Sequence, residues 1–208
     1  MELNAGQFNS RRGKRTGARM SYTKEESLSE FDSWSKSYDD SLLQWLLFVP
    51  AHDYMIGEMG DAGSRPIRLL DIGCGTGTFA RRVLKEHRTA EVWGVDFSGK
   101  MIRAGAQHNQ SCESRMRLIQ ADSESLPMAD NSFDVVTCSN SFHHYPNQAS
   151  AVTEMHRVLR PGGRLLIVDG YRDRLWGRFI FDVCVVAVEG AVHHASARRF
   201  RELFNEAG

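Results

Sequence analysis

The residues of this sequence best suited to hold a ligand are a glycine-rich turn and the carboxylates set at intervals around it. The turn lies within Leu69-Leu70-Asp71-Ile72-Gly73-Cys74-Gly75-Thr76-Gly77. Gly73, Gly75 and Gly77 let a backbone bend sharply and come close to a bound group without a Cβ clash. A helix opening at Thr78 would add unpaired N–H groups at the same place. The spacing is G-x-G-x-G, whereas a dinucleotide fingerprint needs glycine at position 78, where Thr78 stands. That weakens a nicotinamide oxidoreductase reading and leaves it as a competitor. Asp96 follows at the end of a second apolar run, where a carboxylate can accept hydrogen bonds from two ribose hydroxyls. Asp122, after a third run, can accept from an adenine amine. A single loop aspartate commonly owes its place to solvation alone; three such features in register describe a slot for an adenosine.

A second group lies in Asn140-Ser141-Phe142-His143-His144-Tyr145. His143 or His144 could act as a general base on a phenol, an enol or an activated carbon acid. Adjacent residues point in different directions, so at most one faces a reacting group, and ordinary hydrogen-bonding roles for histidine are the commoner case. His193-His194 has no cysteine or carboxylate partner at ligand spacing and reads as a polar loop, so no metal site is expected. Cys74, Cys112, Cys138 and Cys184 show no CxxC pairing and read as reduced thiols of a cytoplasmic protein.

These residues need a frame that brings strand ends together. β-rich runs at Ile67–Ile72, Glu91–Asp96, Met116–Gln120, Phe133–Ser139 and Gly163–Asp169 alternate with segments of helical period. IRLLDI, EVWGVD, FDVVTC and RLLIVD are nearly continuous in apolar character, as strands covered on both faces must be. Phe79, Ala80, Val83 and Leu84 form one helical stripe. Ala151, Val152, Met155, Val158 and Leu159 form another, stopped by Pro161-Gly162-Gly163. The expected fold is α/β: a doubly wound, Rossmann-like, mostly parallel sheet with helices on both faces. Leu42, Leu43, Leu46 and Leu47 suggest a further amphipathic helix, preceded by the aromatic-rich segment from Phe31 to Tyr38.

Composition sets the outer bounds. The chain has 208 residues, 41% hydrophobic and 25% charged, with 26 basic side chains matched by 26 acidic ones. That suits one domain with a full core and excludes disorder, collagen and a disulfide-stapled miniprotein. Zero net charge gives no bulk cationic field, which argues against a nucleic-acid partner. The charge is uneven: Arg11, Arg12, Lys14, Arg15 and Arg19 stand against Glu2 in residues 1–20. This basic arm reads as a flexible terminus, with an RNA- or membrane-touching arm as the sharper alternative. No apolar run reaches the roughly 20 residues of a membrane helix. The organisation is thus a basic arm (1–20), an N-terminal helical extension (21–66) and one α/β domain (67–208).

LLDIGCGTGTFA, VWGVDFSGKMI, QADSESLPMADNSFDVVTC and EMHRVLRPGGRLLIVD resemble the successive motifs of class I S-adenosylmethionine-dependent methyltransferases. The likeness is greatest to the small-molecule branch that includes the ubiquinone/menaquinone biosynthesis methyltransferases, over about Ile67–Asp169, with a looser echo in FDSWSKSYDD. The resemblance implies S-adenosyl-L-methionine as cofactor, S-adenosyl-L-homocysteine as product and a small-molecule methyl acceptor. It implies that Gly73, Gly75 and Gly77 border the methionine moiety and that Asp71 orients the loop or a bound water. It further implies that Asp96 holds the ribose, Phe97 and Met101 flank the adenine, and Asp122 with Ser123 reads the adenine edge. Asn140 should face the methyl donor, and Tyr38 would close over the methionine end or, equally, anchor a helix on the core. The loop NSFHHY lacks the DPPY- or NPPY-type tetrapeptide of enzymes that methylate nucleic-acid amines, which leaves O- and C-methylation open. The stretch Arg174–Glu189 resembles the variable insert over the acceptor pocket, and its apolar character suits an apolar or aromatic acceptor. The family continues past a final helix ending in E-A-G with a β-hairpin; this sequence stops at Gly208, so strands six and seven are expected to be missing. A non-catalytic S-adenosylmethionine-binding module and a transfer-RNA-modifying methyltransferase are the other readings in play.

Overall fold

A computed structural model describes residues 42–60, 66–112, 114–169 and 196–207. Tyr38, the basic arm, Arg174–Glu189, His193-His194 and Cys184 lie outside the described residues. The described elements are α1 (Leu42–Glu58), β1 (Arg68–Ile72), α2 (Thr78–Glu86), β2 (Glu91–Asp96), α3 (Gly99–His108), β3 (Met116–Gln120), β4 (Phe133–Ser139), α4 (Gln148–Val158), β5 (Leu159–Val168) and α5 (Ala197–Ala207), with single 3-10 turns at Gln110–Cys112 and Phe142–His144.

All five strands run parallel in the order β3-β2-β1-β4-β5. This is the doubly wound arrangement that the alternation of apolar runs and helical stripes calls for. The chain leaves β1 toward β2 on one side and returns to β4 on the other, so a crevice opens above the C-terminal ends of β1, β2 and β4.

Two apolar layers cover the sheet, divided by the period-2 alternation of the strands. Leu69, Val92 and Val135 point to the layer built with Phe79, Ala80 and Val83 of α2 and Met55 of α1. Their neighbours Leu70, Trp93 and Val136 point to the other, built with Ala151, Val152, Met155 and Val158 of α4 and Leu203 of α5. α3 approaches closely because position 105 is glycine: a Cβ there would lie 2.6 Å from the Leu118 side chain and 2.8 Å from the Thr76 carbonyl. α1 is tied to α2, where Arg82 donates to the Val49 carbonyl and pairs with Asp53.

One boundary departs from the sequence expectation. Pro161-Gly162-Gly163 was expected to stop a helix ahead of a strand at Gly163. Instead α4 ends at Val158, and Leu159, expected as the last of the helical stripe, opens β5. Phe133 pairs with Leu159 but Val135 with Arg164, so the Pro-Gly-Gly sequence is taken up as a bulge in the strand, with Gly162 at φ 76°. Among the described residues β5 pairs only with β4, and a strand so placed can absorb the missing proline N–H in this way. No helix among the described residues is long and apolar enough to cross a membrane.

Candidate functional site

The crevice above the strand ends is a cleft of about 760 Å³ including its mouth. Its walls come from Ile72, Gly73 and Gly75 at and after the end of β1, Val95–Ser98 and Met101 at and after the end of β2, Ala121–Glu124 after β3, and Asn140, Ser141 and His144–Pro146 after β4. Every strand neighbouring the switch point contributes.

The glycine turn is pinned from β2. The Gly73 and Cys74 N–H groups both donate to the Val95 carbonyl, at 2.8 and 3.0 Å. Gly73 has φ 71°, and a Cβ there would sit 2.1 Å from Ser141 Oγ and 2.8 Å from Tyr145 Oη, so the β4 loop closes on it as no other residue would permit. Gly77 caps α2 with φ 81° and lies off the cleft wall. Behind the turn, Asn109 donates to the Thr76 and Gly105 carbonyls, and Arg81 reaches Asn109 and Thr78.

Asp96 ends β2 at the cleft. One oxygen accepts from the Gly75 N–H at 2.8 Å and the other from the Ser98 N–H at 2.8 Å. Each oxygen keeps a lone pair for a hydroxyl donor. Burial pushes its carboxyl up to about 6, against the pull of those two N–H groups. Asp71 is buried and does not line the cleft. It sits opposite Thr137 in the β1–β4 register, and its Oδ1 accepts from the Thr137 hydroxyl at 2.8 Å. Burial, with the nearby Asp96 adding to it, pushes Asp71 up to about 7, while the Thr137 hydroxyl pulls the other way. Asp71 therefore braces the two strands beneath the turn.

Asp122, Ser123 and Glu124 form the opposite rim. Asp122 Oδ1 accepts from the Glu124 N–H at 3.0 Å, and Glu124 accepts from the Asn147 N–H at 3.0 Å, which ties this loop to the start of α4. Phe97 is partly exposed over the cleft and Met101 is buried in its wall. Asn140 adopts φ 51°, unusual for a residue with a Cβ, and its N–H donates to the Val168 carbonyl. The lining thus carries Asp96, Asp122 and Glu124, and no lysine or arginine among the described residues.

The two histidines part company. On the Phe142–His144 turn, His144 faces the cleft, whereas His143 lies beneath it against Asp169. Sequence reasoning missed Ser141 and Tyr145: Ser141 Oγ donates to the Ile72 carbonyl at 3.2 Å and meets Tyr145 Oη at 2.9 Å and Cys138 Sγ at 3.2 Å. Burial drives the Tyr145 hydroxyl well above its usual range and the Cys138 thiol up to about 12, so both are neutral hydrogen-bonding groups here. The hexapeptide holds both residues, yet nothing in its spacing marks them; the close approach of the Gly73 turn does.

Comparison with known proteins gives the relationships of this chain. Residues 70–167 match the family model described as a methyltransferase domain. Demethylmenaquinone methyltransferase of Staphylococcus aureus (strain MRSA252) is 35% identical over 148 residues, 70% of this chain and 61% of that relative. The chain thus spans about three fifths of the length of the curated relatives it matches. Among solved structures, the YcgJ protein from Bacillus subtilis superposes with a TM-score of 0.64 at 29% identity, over 75% of this chain and 66% of that one. The [4+2]-cyclase SpnF superposes with a TM-score of 0.63 at 26% identity, over 76% and 56%.

Proposed function

We propose that this chain, whose residues 70–167 match a methyltransferase-domain model, is a class I S-adenosylmethionine-dependent methyltransferase that moves a methyl group from S-adenosyl-L-methionine to an oxygen or carbon of a small, apolar or aromatic acceptor. The observation that carries this reading is the cleft itself: three carboxylates, no lysine or arginine among its described lining residues, and a glycine turn held open toward it. Such a wall favours a nucleoside bearing positive charge over one bearing a pyrophosphate.

The residues fit that cofactor. Asp96 keeps a free lone pair on each oxygen for the ribose hydroxyls, and Phe97 and Met101 offer apolar contact for the adenine. Asp122 and Ser123 stand where its edge would be read, while Gly73 and Gly75 leave backbone-width room for the methionine part. When bound, the cofactor supplies a methyl group already activated on a cationic sulfur, so displacement needs alignment and exclusion of water. Asn140 and His144 face the space beside the turn, and His144 is the group we assign to take the acceptor's proton. The relative's name, demethylmenaquinone methyltransferase, supports a quinol-type acceptor for this chain.

Calorimetry with S-adenosylmethionine, S-adenosylhomocysteine and NAD tests the cofactor. Binding of the first two and none of NAD is expected; binding of NAD alone overturns the reading. Transfer of radiolabelled methyl groups to demethylmenaquinol, simple phenols and RNA tests the acceptor. Label on the quinol or phenols is expected. Cofactor binding without transfer to any of them would point to non-methylating use of the fold.

A further inference from the structure

Asp169, just past the end of β5, is not among the site residues expected from the sequence, yet it makes a two-point contact with the histidine turn. Its Oδ2 accepts the His143 backbone N–H at 2.9 Å and its Oδ1 meets His143 Nδ1 at 2.5 Å. Both side chains are nearly inaccessible, at 3% and 6% exposure. The His143 ring in turn lies 4.1 Å, centroid to centroid, from the ring of His144, which faces the cleft. A buried carboxylate past the end of one strand thus grips the turn after its neighbour, across 26 residues of sequence.

We propose that Asp169 and His143 form a positioning pair, which fixes the direction of His144 and raises its basicity for removing a proton from the methyl acceptor. The inference rests on the methyl-transfer reading above. A carboxylate accepting at Nδ1 sets the tautomer of neutral His143 with its proton on Nδ1. The pair then carries one negative charge against the ring of His144, and a nearby negative charge favours the imidazolium form. Among the described residues, the other ionisable groups around His144 are Asp96 on β2, Asp122 and Glu124 after β3, Cys138 on β4 and Tyr145 on the same turn. The step is proton uptake: the acceptor's proton moves to a ring nitrogen of His144 as the acceptor's electron pair bonds to the methyl carbon. The carbon–sulfur bond breaks with its pair left on sulfur. The acceptor class implied is one that holds its proton at neutral pH, such as a phenol, quinol or enol.

Asp169→Asn tests the pair, since it keeps the shape and removes the charge. Nitrogen NMR of the imidazoles, with S-adenosylhomocysteine bound, gives a readout that needs no turnover. In the unsubstituted protein, one histidine should hold its proton on Nδ1 at neutral pH, and a second, missing in His144→Ala, should titrate. Asp169→Asn should lower that second titration by about one pH unit. With demethylmenaquinol as acceptor, kcat should fall about tenfold or more while KM for S-adenosylmethionine changes less than twofold, and the acid limb of the pH profile should move down with the titration. His144→Ala should lose about 10²–10⁴-fold in kcat. An unshifted titration and unchanged kcat in Asp169→Asn, with homocysteine-product binding intact, overturns the pair and leaves the cofactor reading standing. Loss of cofactor binding in the unsubstituted protein defeats that reading instead. If Asp169→Asn does not fold, the unsubstituted protein decides: a His143 with no proton on Nδ1 overturns the proposal.

Discussion

At the residue scale the cleft depends on carboxyls held under unusual conditions. Asp96 serves two backbone N–H groups at the cleft wall, and the proposed cofactor reading gives it the ribose hydroxyls as well. Asp96→Ala should weaken S-adenosylmethionine binding by about 1–3 kcal/mol, roughly 5–150-fold in Kd by calorimetry. Because burial raises this carboxyl to about 6, and donors from a ligand favour its anion, cofactor affinity should increase between about pH 5 and 7 and then level off. Asp71 affects the fold. Its carboxyl sits near 7 in the folded chain against an ordinary value of 3.8. The folded protein therefore keeps a proton that the unfolded chain releases. The stabilising contribution is complete below about pH 4 and is lost as the pH rises through 7. Asp71→Asn, whose amide oxygen can still accept from Thr137, should flatten that loss in denaturant titrations run from pH 4 to 8. Gly73→Ala should abolish cofactor binding measured by calorimetry, because its Cβ falls within the Ser141 side chain and its φ of 71° disfavours any residue but glycine.

At the element scale, the loop that carries Asp122 is held from outside the cleft. Arg157 of α4 donates to the Leu126 and Met128 carbonyls and pairs with Asp130 and Glu154, while Glu154 accepts the Leu126 N–H. The guanidinium fork satisfies four acceptors at once, a geometry that lysine does not have. Arg157→Ala should lower stability by about 1–3 kcal/mol in chemical denaturation, and Arg157→Lys should recover little of it. The same scale shows where periodicity reads well and where it fails. β2, β3 and β4 fall on the spans expected from the sequence; in β2 and β4 continuous burial on both faces leaves a continuous apolar signal, whereas β3, at the rim of the sheet, buries only Met116 fully. At β5 the signal misleads: proline and glycine ordinarily break structure, and only pairing with β4 across the bulge turns them into strand.

For the whole molecule, ligand and fold are linked by mass action. A cofactor held only by the folded chain, at about 100 times its Kd, adds about 2.7 kcal/mol, which corresponds to a Tm rise of about 5–10 °C for a chain of this size. S-adenosylhomocysteine should produce that rise in a thermal-shift assay and NAD should not. The rise should shrink in Asp96→Ala at the same ligand concentration. The aromatic contacts of Phe142 with Tyr145 and Phe200 run from the cleft wall to α5, so the packing of α5 and the shape of the cleft belong to one cooperative unit.

Local order along the chain was enough to determine the strands β2–β4, the parallel α/β plan, the glycine turn and the aspartate that follows the second strand. Each of these is written in neighbouring residues: burial on two faces, a backbone that needs glycine, a polar group where a strand ends. Which histidine faces the cleft, the bracing of Asp71 by Thr137, the closure of Ser141 and Tyr145 on Gly73, and the grip of Asp169 on His143 were decided only by the tertiary structure. Those relations join residues 26 to 69 positions apart or depend on the direction in which a side chain leaves a turn. No periodicity records them, because they exist only after parallel pairing has brought the separate strand ends to one edge of the sheet.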